Sequence, residues 1–225
     1  MRVRLFSVLR LITGILVCAG LIVADSAAHR VDDVIQRVEN RYNGARTLAV
    51  NFTENYNVQG HSRQPESGTL TLRKQGKMRW DYTRPAGKLF ISDGKNVFLY
   101  TARDNRVEKL RLKDTEDMRA PLAFLLGRLD MKKEFHDFQL RDADAGIWLE
   151  ASAKNARVPY EKVEMLIAPN ASIGALKVIG RDESELSYTF ANERVNPPAP
   201  DELFEFTVPP GAEVVESVGL GAAEN

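Results

Sequence analysis

The sequence predicts a mainly β domain with a few helices, built as an up-and-down antiparallel sheet, a barrel or a part-barrel. Strand-like runs recur at roughly ten-residue spacing with short turns between them, which is typical of these architectures. Over residues 69–73 and 77–82, apolar side chains alternate with polar or charged ones with a period of two, which puts an apolar row and a charged row on opposite faces of a sheet. The last predicted strand is Phe204–Val208, which follows the proline-rich linker Asn196–Pro200.

The N-terminus has the three-part pattern of a secretory signal peptide. A basic region is followed by an apolar run over Leu11–Val23 and by small residues at Ser26–Ala28. We expect cleavage after this small-residue site, because the apolar run is too short for a membrane span. The alternative is a lipid-modified Cys18, which is disfavoured because Val17 is bulky and the apolar run continues beyond the cysteine.

Removal of this signal, residues 1–28, leaves 197 of the 225 residues. The signal contains the only cysteine, three arginines and one aspartate, so the mature chain has no thiol and a formal charge of −2. A chain without a basic field is poorly suited to nucleic acid, and we expect no nucleic-acid partner. We expect a single domain over residues 29–212 and a flexible C-terminal tail over residues 213–225.

An amphipathic helix is predicted over Arg30–Tyr42. Apolar residues recur there at helical spacing, and Asn43-Gly44 ends the helix. A helix with one apolar stripe lies on a surface and does not run through a core.

Two stretches supply candidate wall residues. In the first, Val50 and Phe52 belong to a long alternating strand that is interrupted only by Glu54 on the same face. In the second, an Asp93-Gly94 hairpin signal separates the runs KLFIS and KNVFLY. These runs are apolar at consecutive positions, a pattern compatible with cover on both faces.

Residues 118–127, MRAPLAFLLG, form an intensely apolar run between charged segments. One interpretation is a buried short helix that plugs the end of the sheet. The other is a movable lid, which the charged, turn-rich flanks would permit. Periodicity does not separate the two.

No motif supports catalysis or metal binding. The histidines at positions 29, 61 and 136 lie in separate segments, whereas a metal site needs three or four converging ligands. Asp142–Gly146 begins like a calcium loop but lacks its later ligands, which favours a plain turn. What remains is an excess of large apolar side chains on a sheet. They form either an inert core or the wall of an apolar pocket suited to acyl chains.

Several collinear motifs resemble the periplasmic lipoprotein carrier family LolA. The signal peptide and first helix are followed by the pattern G-x-L-x-L-x-[KR]-x-x-x-x-x-W-x-Y, which begins at Gly68 and ends at Tyr82. Further pieces follow in family order: Pro85, ISDGK at 91–95 with Phe98 and Tyr100, APLAFLL at 120–126, and FEFTVPPGAEVV at 204–215. Together these pieces span nearly the whole mature chain.

The resemblance implies an unclosed antiparallel β-barrel, a half-barrel of about 11 strands, covered by a lid of short α-helices. It implies a monomeric, non-enzymatic periplasmic carrier that shelters lipoprotein acyl chains and uses no cofactor. Its implied partners are acylated lipoproteins, an inner-membrane ABC-type releasing complex and an outer-membrane lipoprotein acceptor. The alternatives are a carrier of other lipids and an envelope-stress sensor of the same fold.

Candidate acyl-chain-binding residues follow from the alternating rows and from the resemblance. The wall candidates are Val50, Phe52, Leu70, Leu72, Met78, Trp80, Tyr82, Leu89, Ile91 and Phe98, and the lid candidates are Leu122, Leu125 and Leu126.

Lys74 departs from the family pattern. Many members have arginine followed by proline where this chain has Lys74-Gln75, and that arginine holds the lid closed through its backbone carbonyls. Lysine keeps the charge but lacks the planar fork, so we expect a looser latch or one closed by different contacts. The alternative is that Lys74 is a solvated strand residue.

Overall fold

A computed structural model describes the backbone of residues 18–112 and 129–216, with side chains from residue 28 onward. The described strands form one open, curved, 13-stranded sheet. Neighbouring strands are antiparallel, except that β13 runs parallel to β7. The predicted fold class is confirmed, whereas the predicted lid lies outside the described residues.

The elements have the following bounds. The helices are α1 (Cys18–Gly44) and α2 (Met131–Glu134). The strands are β1 (Thr47–Val58), β2 (His61–Ser62), β3 (Glu66–Arg73), β4 (Lys77–Arg84), β5 (Lys88–Asp93), β6 (Asn96–Thr101), β7 (Arg106–Arg111), β8 (Phe135–Ala143), β9 (Gly146–Ala153), β10 (Tyr160–Ile167), β11 (Ile173–Gly180), β12 (Glu185–Val195) and β13 (Glu213–Glu216).

Strand β1 lies in the middle of the sheet. The strand order is β13-β7-β6-β5-β4-β3-β1-β12-β11-β10-β9-β8, and the short β2 pairs with β1. The chain therefore proceeds outward from β1 to β7, re-enters at the far edge as β8, and returns strand by strand to β12 beside β1. Residues 113–128 connect these two halves in sequence.

The two faces of the sheet follow from the period-two pattern. In β3 the residues Gly68, Leu70 and Leu72 are buried, and their neighbours Thr69, Thr71 and Arg73 are not. In β4 the buried positions are Met78, Trp80 and Tyr82. We call the face that carries this buried row the inner face. The alternation predicted for these two strands is confirmed.

Helix α1 lies against the inner face. Val34, Ile35 and Val38 are almost completely buried in the same apolar cluster as Trp80. The predicted helix Arg30–Tyr42 is confirmed as the C-terminal part of α1, and it buries one stripe as expected.

The C-terminal end of α1 is fixed by a buried tyrosine. The Tyr42 hydroxyl donates to a Glu193 carboxylate oxygen at 2.8 Å and accepts from the Ile173 backbone N–H at 2.8 Å. Burial raises the pKa of Tyr42, and the neighbouring Glu193 charge raises it further. The hydroxyl therefore stays protonated, and it ties α1 to β11 and β12.

The outer face carries a second apolar group. Ile91, Val107 and Phe204 are buried but lie outside the inner cluster. Phe204 ends a short 3-10 helix, Asp201–Phe204, which packs against β4 and β5. Phe206 then stacks on Phe98 with ring centroids 5.0 Å apart.

Two predictions at the C-terminus are wrong in detail. Phe204–Val208 does not form a strand, because it crosses the outer face and places its phenyl rings on the sheet. The predicted tail begins too early, because Glu213–Glu216 pair with β7 as strand β13.

Because Gly68 has no side chain, strand β3 approaches β4 more closely there than any other residue type at this position would permit. A Cβ atom there would lie 2.0 Å from the Asp81 backbone carbonyl oxygen. We expect Gly68→Ala to lower the free energy of unfolding by about 3 kcal/mol, since overpacking displaces backbone. Urea unfolding measures this loss.

Gly174→Ala is the matched control for Gly68→Ala. It also lies within a strand, but its Cβ would meet Leu166 atoms at no less than 3.8 Å. The control should change stability by about 1 kcal/mol or less. Equal effects of the two substitutions would show that the close approach at Gly68 carries no special weight.

Candidate functional site

Four rings form an aromatic cluster at the centre of the inner face: Phe52, Trp80, Tyr82 and Tyr188. The Phe52 ring meets Trp80 edge-on at 4.8 Å and Tyr82 edge-on at 5.1 Å, and Tyr188 lies 5.6 Å from Trp80. Gly68 is the cross-strand partner of both Phe52 and Tyr82. Because glycine has no side chain, the two rings meet above it.

Seven wall candidates lie on the inner face. Six of them are buried in the inner cluster and Val50 is half-buried against it; the six are Phe52, Leu70, Leu72, Met78, Trp80 and Tyr82. Trp80 is 0% exposed. The row that the sequence picks out on β1, β3 and β4 is therefore one continuous apolar surface, covered in this structure.

The remaining three wall candidates, Leu89, Ile91 and Phe98, do not share this face. Ile91 is the cross-strand partner of Arg79 and of Phe98, and Leu89 is the partner of Asp81. All three therefore lie on the outer face, where the segment that contains Phe204 and Phe206 covers the sheet. Their placement in the concave wall is corrected.

Phe90, Val97 and Leu99 occupy the inner positions instead. Phe90 is the partner of Trp80, and Leu99 is the partner of Phe90. Strands β5 and β6 are apolar at consecutive positions, so alternation alone does not show which of their residues face inward. Counting the hairpin register from Trp80 would have found these three residues.

The lid candidates Leu122, Leu125 and Leu126 lie outside the described residues. The described residues on either side of residues 113–128, Leu112 and Leu129, are both held by hydrogen bonds. Leu112 N–H donates to the Lys95 carbonyl at 2.8 Å. Leu129, 2% exposed, is held by the Asn43 side chain, which accepts from its N–H at 2.7 Å and donates to its carbonyl at 2.9 Å.

Lys74 contacts the end of helix α1. Its Nζ donates to the Asn43 backbone carbonyl at 2.6 Å. The last carbonyls of a helix lack intrahelical partners and carry partial negative charge, so an ammonium stabilises them. The side chain of the same Asn43 is hydrogen-bonded to Leu129, and Lys74 therefore supports the first described residue after the predicted lid. The crevice beside Lys74 has a volume of only about 10 Å³ and is too small for a ligand.

One end of the inner face is polar, and we call Glu54, Glu66 and Lys88 the polar end. Glu54 and Glu66 are direct cross-strand partners. Lys88 is hydrogen-bonded to Glu66, and its Nζ lies 4.3 Å from the centroid of the Tyr82 ring. The Tyr82 hydroxyl donates to Glu54 at 3.3 Å. The sequence pattern shows Glu54 only as an interruption and does not indicate its partners.

Metal ligation and membrane spanning find no support in the described parts of the chain. Within residues 18–112 and 129–216, no three His, Cys, Asp or Glu side chains are grouped as metal ligands. Among the helices of those same ranges, none has the length and hydropathy needed to cross a membrane.

An open curved sheet with a continuous, helix-covered apolar inner face defines a class of binding protein with an internal apolar surface. A sequence profile described as "Outer membrane lipoprotein carrier protein LolA" matches residues 43–207. The chain belongs to this family.

Individual relatives agree with the family match. The outer-membrane lipoprotein carrier protein of Bordetella avium (strain 197N) is 29% identical over 199 residues, covering 88% of this chain and 90% of that protein. The outer-membrane lipoprotein carrier protein of Dechloromonas aromatica (strain RCB) is 25% identical over 201 residues, covering 88% of this chain and 93% of that protein. The crystal structure of an uncharacterized conserved protein from Thermus thermophilus has a TM-score of 0.50 at 11% identity, covering 83% of this chain and 98% of that one, and it supports the fold alone.

Lys74→Met should loosen the end of α1 and, through Asn43, the attachment of Leu129. A hydrogen bond from a charged donor contributes roughly 1.5–3 kcal/mol, and partial solvation reduces this. We expect amide hydrogen exchange at Leu129 to become about tenfold faster. Exchange measured residue by residue by NMR checks this.

The control for Lys74→Met is Lys133→Met, at an exposed position on α2. It should leave the exchange rate at Leu129 unchanged. An unchanged rate at Leu129 in Lys74→Met would remove Lys74 from the support of this junction.

Proposed function

We propose that this protein is a periplasmic carrier that shelters the acyl chains of lipoproteins between the inner and outer membranes. The observation that carries the proposal is the continuous apolar inner face, centred on the aromatic cluster, in a member of the LolA family. The names of the two relatives support the cargo class. The carrier works by binding and release and makes or breaks no bonds.

A carrier that must release its cargo can bind the acyl chains only with limited affinity. Burying one methylene is worth about 0.8 kcal/mol, so a sixteen-carbon chain is worth on the order of 12 kcal/mol. Three such chains would exceed the practical ceiling of roughly 20 kcal/mol for non-covalent binding. A carrier that buried every chain completely would not release its cargo.

The contacts that already cover the inner face oppose the binding of cargo. Trp80, Leu70 and Phe52 are buried in this structure, together with Val34 and Val38 of α1. Cargo must therefore replace contacts that the protein already makes with itself. The net affinity is the difference between the two sets of contacts, which keeps transfer possible.

The predicted signal peptide and the family together support a periplasmic location. We infer that cargo is received from an inner-membrane ABC-type releasing complex and passed to an outer-membrane acceptor. Lys74 and Asn43 would then affect loading, since they fix the described residue that follows the lid segment.

A release assay tests this function. The purified mature protein is incubated with membranes that contain a radiolabelled triacylated lipoprotein, the releasing complex and ATP. We expect a soluble one-to-one complex of carrier and lipoprotein. Cargo that stays in the membrane while free lipids are extracted would contradict the lipoprotein function.

A pair of variants tests which face of the sheet binds the acyl chains. Val50→Asp puts a charge at a half-buried position of the inner face, and it should lower the yield of complex at least about tenfold, because bound acyl chains would remove water from a charge that has no partner. Leu166→Asp is the matched control. Leu166 is half-buried on the outer face beside Trp148, and its substitution should leave the yield near wild type. Equal losses would contradict use of the inner face.

A further inference from the structure

The indole of Trp80 carries a polar group that the inner face leaves without a partner. Its Nε1 atom is buried and has no hydrogen-bond partner in the described part of the chain. The whole residue is 0% exposed, so water does not reach this N–H. The large majority of buried side-chain polar atoms in proteins are hydrogen-bonded, and a buried donor that is not calls for an explanation.

The neighbours of the indole are poor acceptors. On the adjacent strands its direct partners are Leu70 and Phe90, and neither side chain accepts a conventional hydrogen bond. The Phe52 ring meets Trp80 edge-on at 4.8 Å, and an aromatic face is only a weak acceptor. The N–H therefore lies in an apolar environment where a carbonyl oxygen would be a better partner than any of these groups.

Packing alone does not require a nitrogen at this position. A phenylalanine would bury apolar area there without removing a donor from water. Phenylalanine fills other buried positions of the same apolar cluster, Phe52 and Phe135 among them. Side chains that break a local rule in this way, without a compensating contact, are expected at functional sites.

We propose that the indole N–H of Trp80 donates a hydrogen bond to the carbonyl oxygen at which a bound acyl chain joins its head group. The inference rests on the proposed function and specifies where the carbonyl of the cargo binds. An indole nitrogen only donates and a carbonyl oxygen only accepts, so the two groups are complementary. The ligand class is therefore a molecule with ester-linked or amide-linked acyl chains, as opposed to a hydrocarbon or an alkyl ether.

The burial of Trp80 makes this single hydrogen bond effective. In the empty protein the N–H has lost water and has gained no partner, so a carbonyl that reaches it restores a bond that is missing. Electrostatic attraction is also stronger in an apolar interior than in water. An alkyl ether of the same chain length lacks the carbonyl oxygen and leaves the donor unpaired.

The position of Trp80 also sets the orientation of the ligand. On β4, Trp80 lies between Met78 and Tyr82 in the inner row. The Met78 side leads to the turn between β3 and β4, where Lys74 is bonded to the end of α1. The Tyr82 side leads to the polar end. The head group then lies on the polar side, and the chain lies against the apolar residues between Trp80 and α1.

The test uses two pairs of soluble probes whose members differ only at the carbonyl. In one pair, a cysteinyl peptide with an acetylated N-terminus carries a glyceryl group with either two octanoyl esters or two octyl ethers. In the other pair, phosphatidylglycerol carries the same chains. Affinities come from displacement of a hydrophobic dye from the purified mature protein. The readout is the ester ratio, the Kd of the ether probe divided by that of the ester probe.

Trp80→Phe keeps an aromatic ring and removes the donor. It should lower the ester ratio about tenfold, a difference of ~1.4 kcal/mol. Trp148→Phe is the matched control, because it removes the other indole, which lies on the outer face beside Arg141. The control should keep the wild-type ester ratio. A tenfold effect in either probe pair supports the inference, and the pair that shows it identifies the source of the carbonyl as lipopeptide or phospholipid.

A spectroscopic measurement decides the case in which Trp80→Phe binds no probe. In Trp148→Phe made with isotopically labelled tryptophan, the remaining indole N–H signal in the NMR spectrum belongs to Trp80. Its proton resonance should move downfield when the ester probe binds, because the N–H gains a hydrogen bond to a carbonyl. The ether probe should not produce this shift.

The outcomes separate the two proposals. Wild type that binds no probe contradicts the proposed carrier function. An ester ratio that is equal within about twofold in wild type and in folded Trp80→Phe overturns the inference and leaves the carrier function standing. An indole signal of Trp80 that responds equally to ester and ether probes also overturns it. Circular dichroism of each variant establishes that it is folded.

Discussion

The meeting of two rings above Gly68 sets which side of the sheet becomes the interior. Gly68 lies between Phe52 on β1 and Tyr82 on β4, and the absence of a side chain lets their rings touch at 5.1 Å. With these three positions paired, the period of two places Leu70 and Leu72 of β3 and Met78 and Trp80 of β4 on the same face. Trp80 and Leu70 then necessarily face α1.

Register propagates this choice across the sheet. Phe90 follows Trp80 to the inner face, and Ile91 is sent outside. The outer apolar residues need their own cover, which the segment from Asp201 to Phe206 provides. Arg79 fixes that segment by donating to the Leu203 carbonyl at 3.1 Å. The C-terminal segment thus covers apolar residues of the outer face at β5 and β6, and the proposed acyl-chain site is on the opposite, inner face.

How much the sequence reveals depends on how clear the alternation is. β3 and β4 alternate cleanly, so Leu70, Leu72, Met78 and Trp80 were assigned to the right face. β5 and β6 are apolar at successive positions because both faces are covered, and there periodicity could not choose between Phe90 and Ile91. Long-range contacts were beyond any local pattern. The tie from Asn43 to Leu129 joins residues 86 positions apart, and the partner of Lys74 proved to be the end of α1.

The central claim is that acyl chains lie against the inner face, and the two tryptophans allow a direct measurement. Trp80 lies inside, whereas Trp148 is half-buried on the outer face under Arg141. Lipopeptide with brominated acyl chains, which quench indole fluorescence on contact, is bound to Trp148→Phe, which retains Trp80, and to Trp80→Phe, which retains Trp148. The account predicts strong quenching of Trp80 and little of Trp148. Equal quenching of both, or quenching of Trp148 alone, would contradict it.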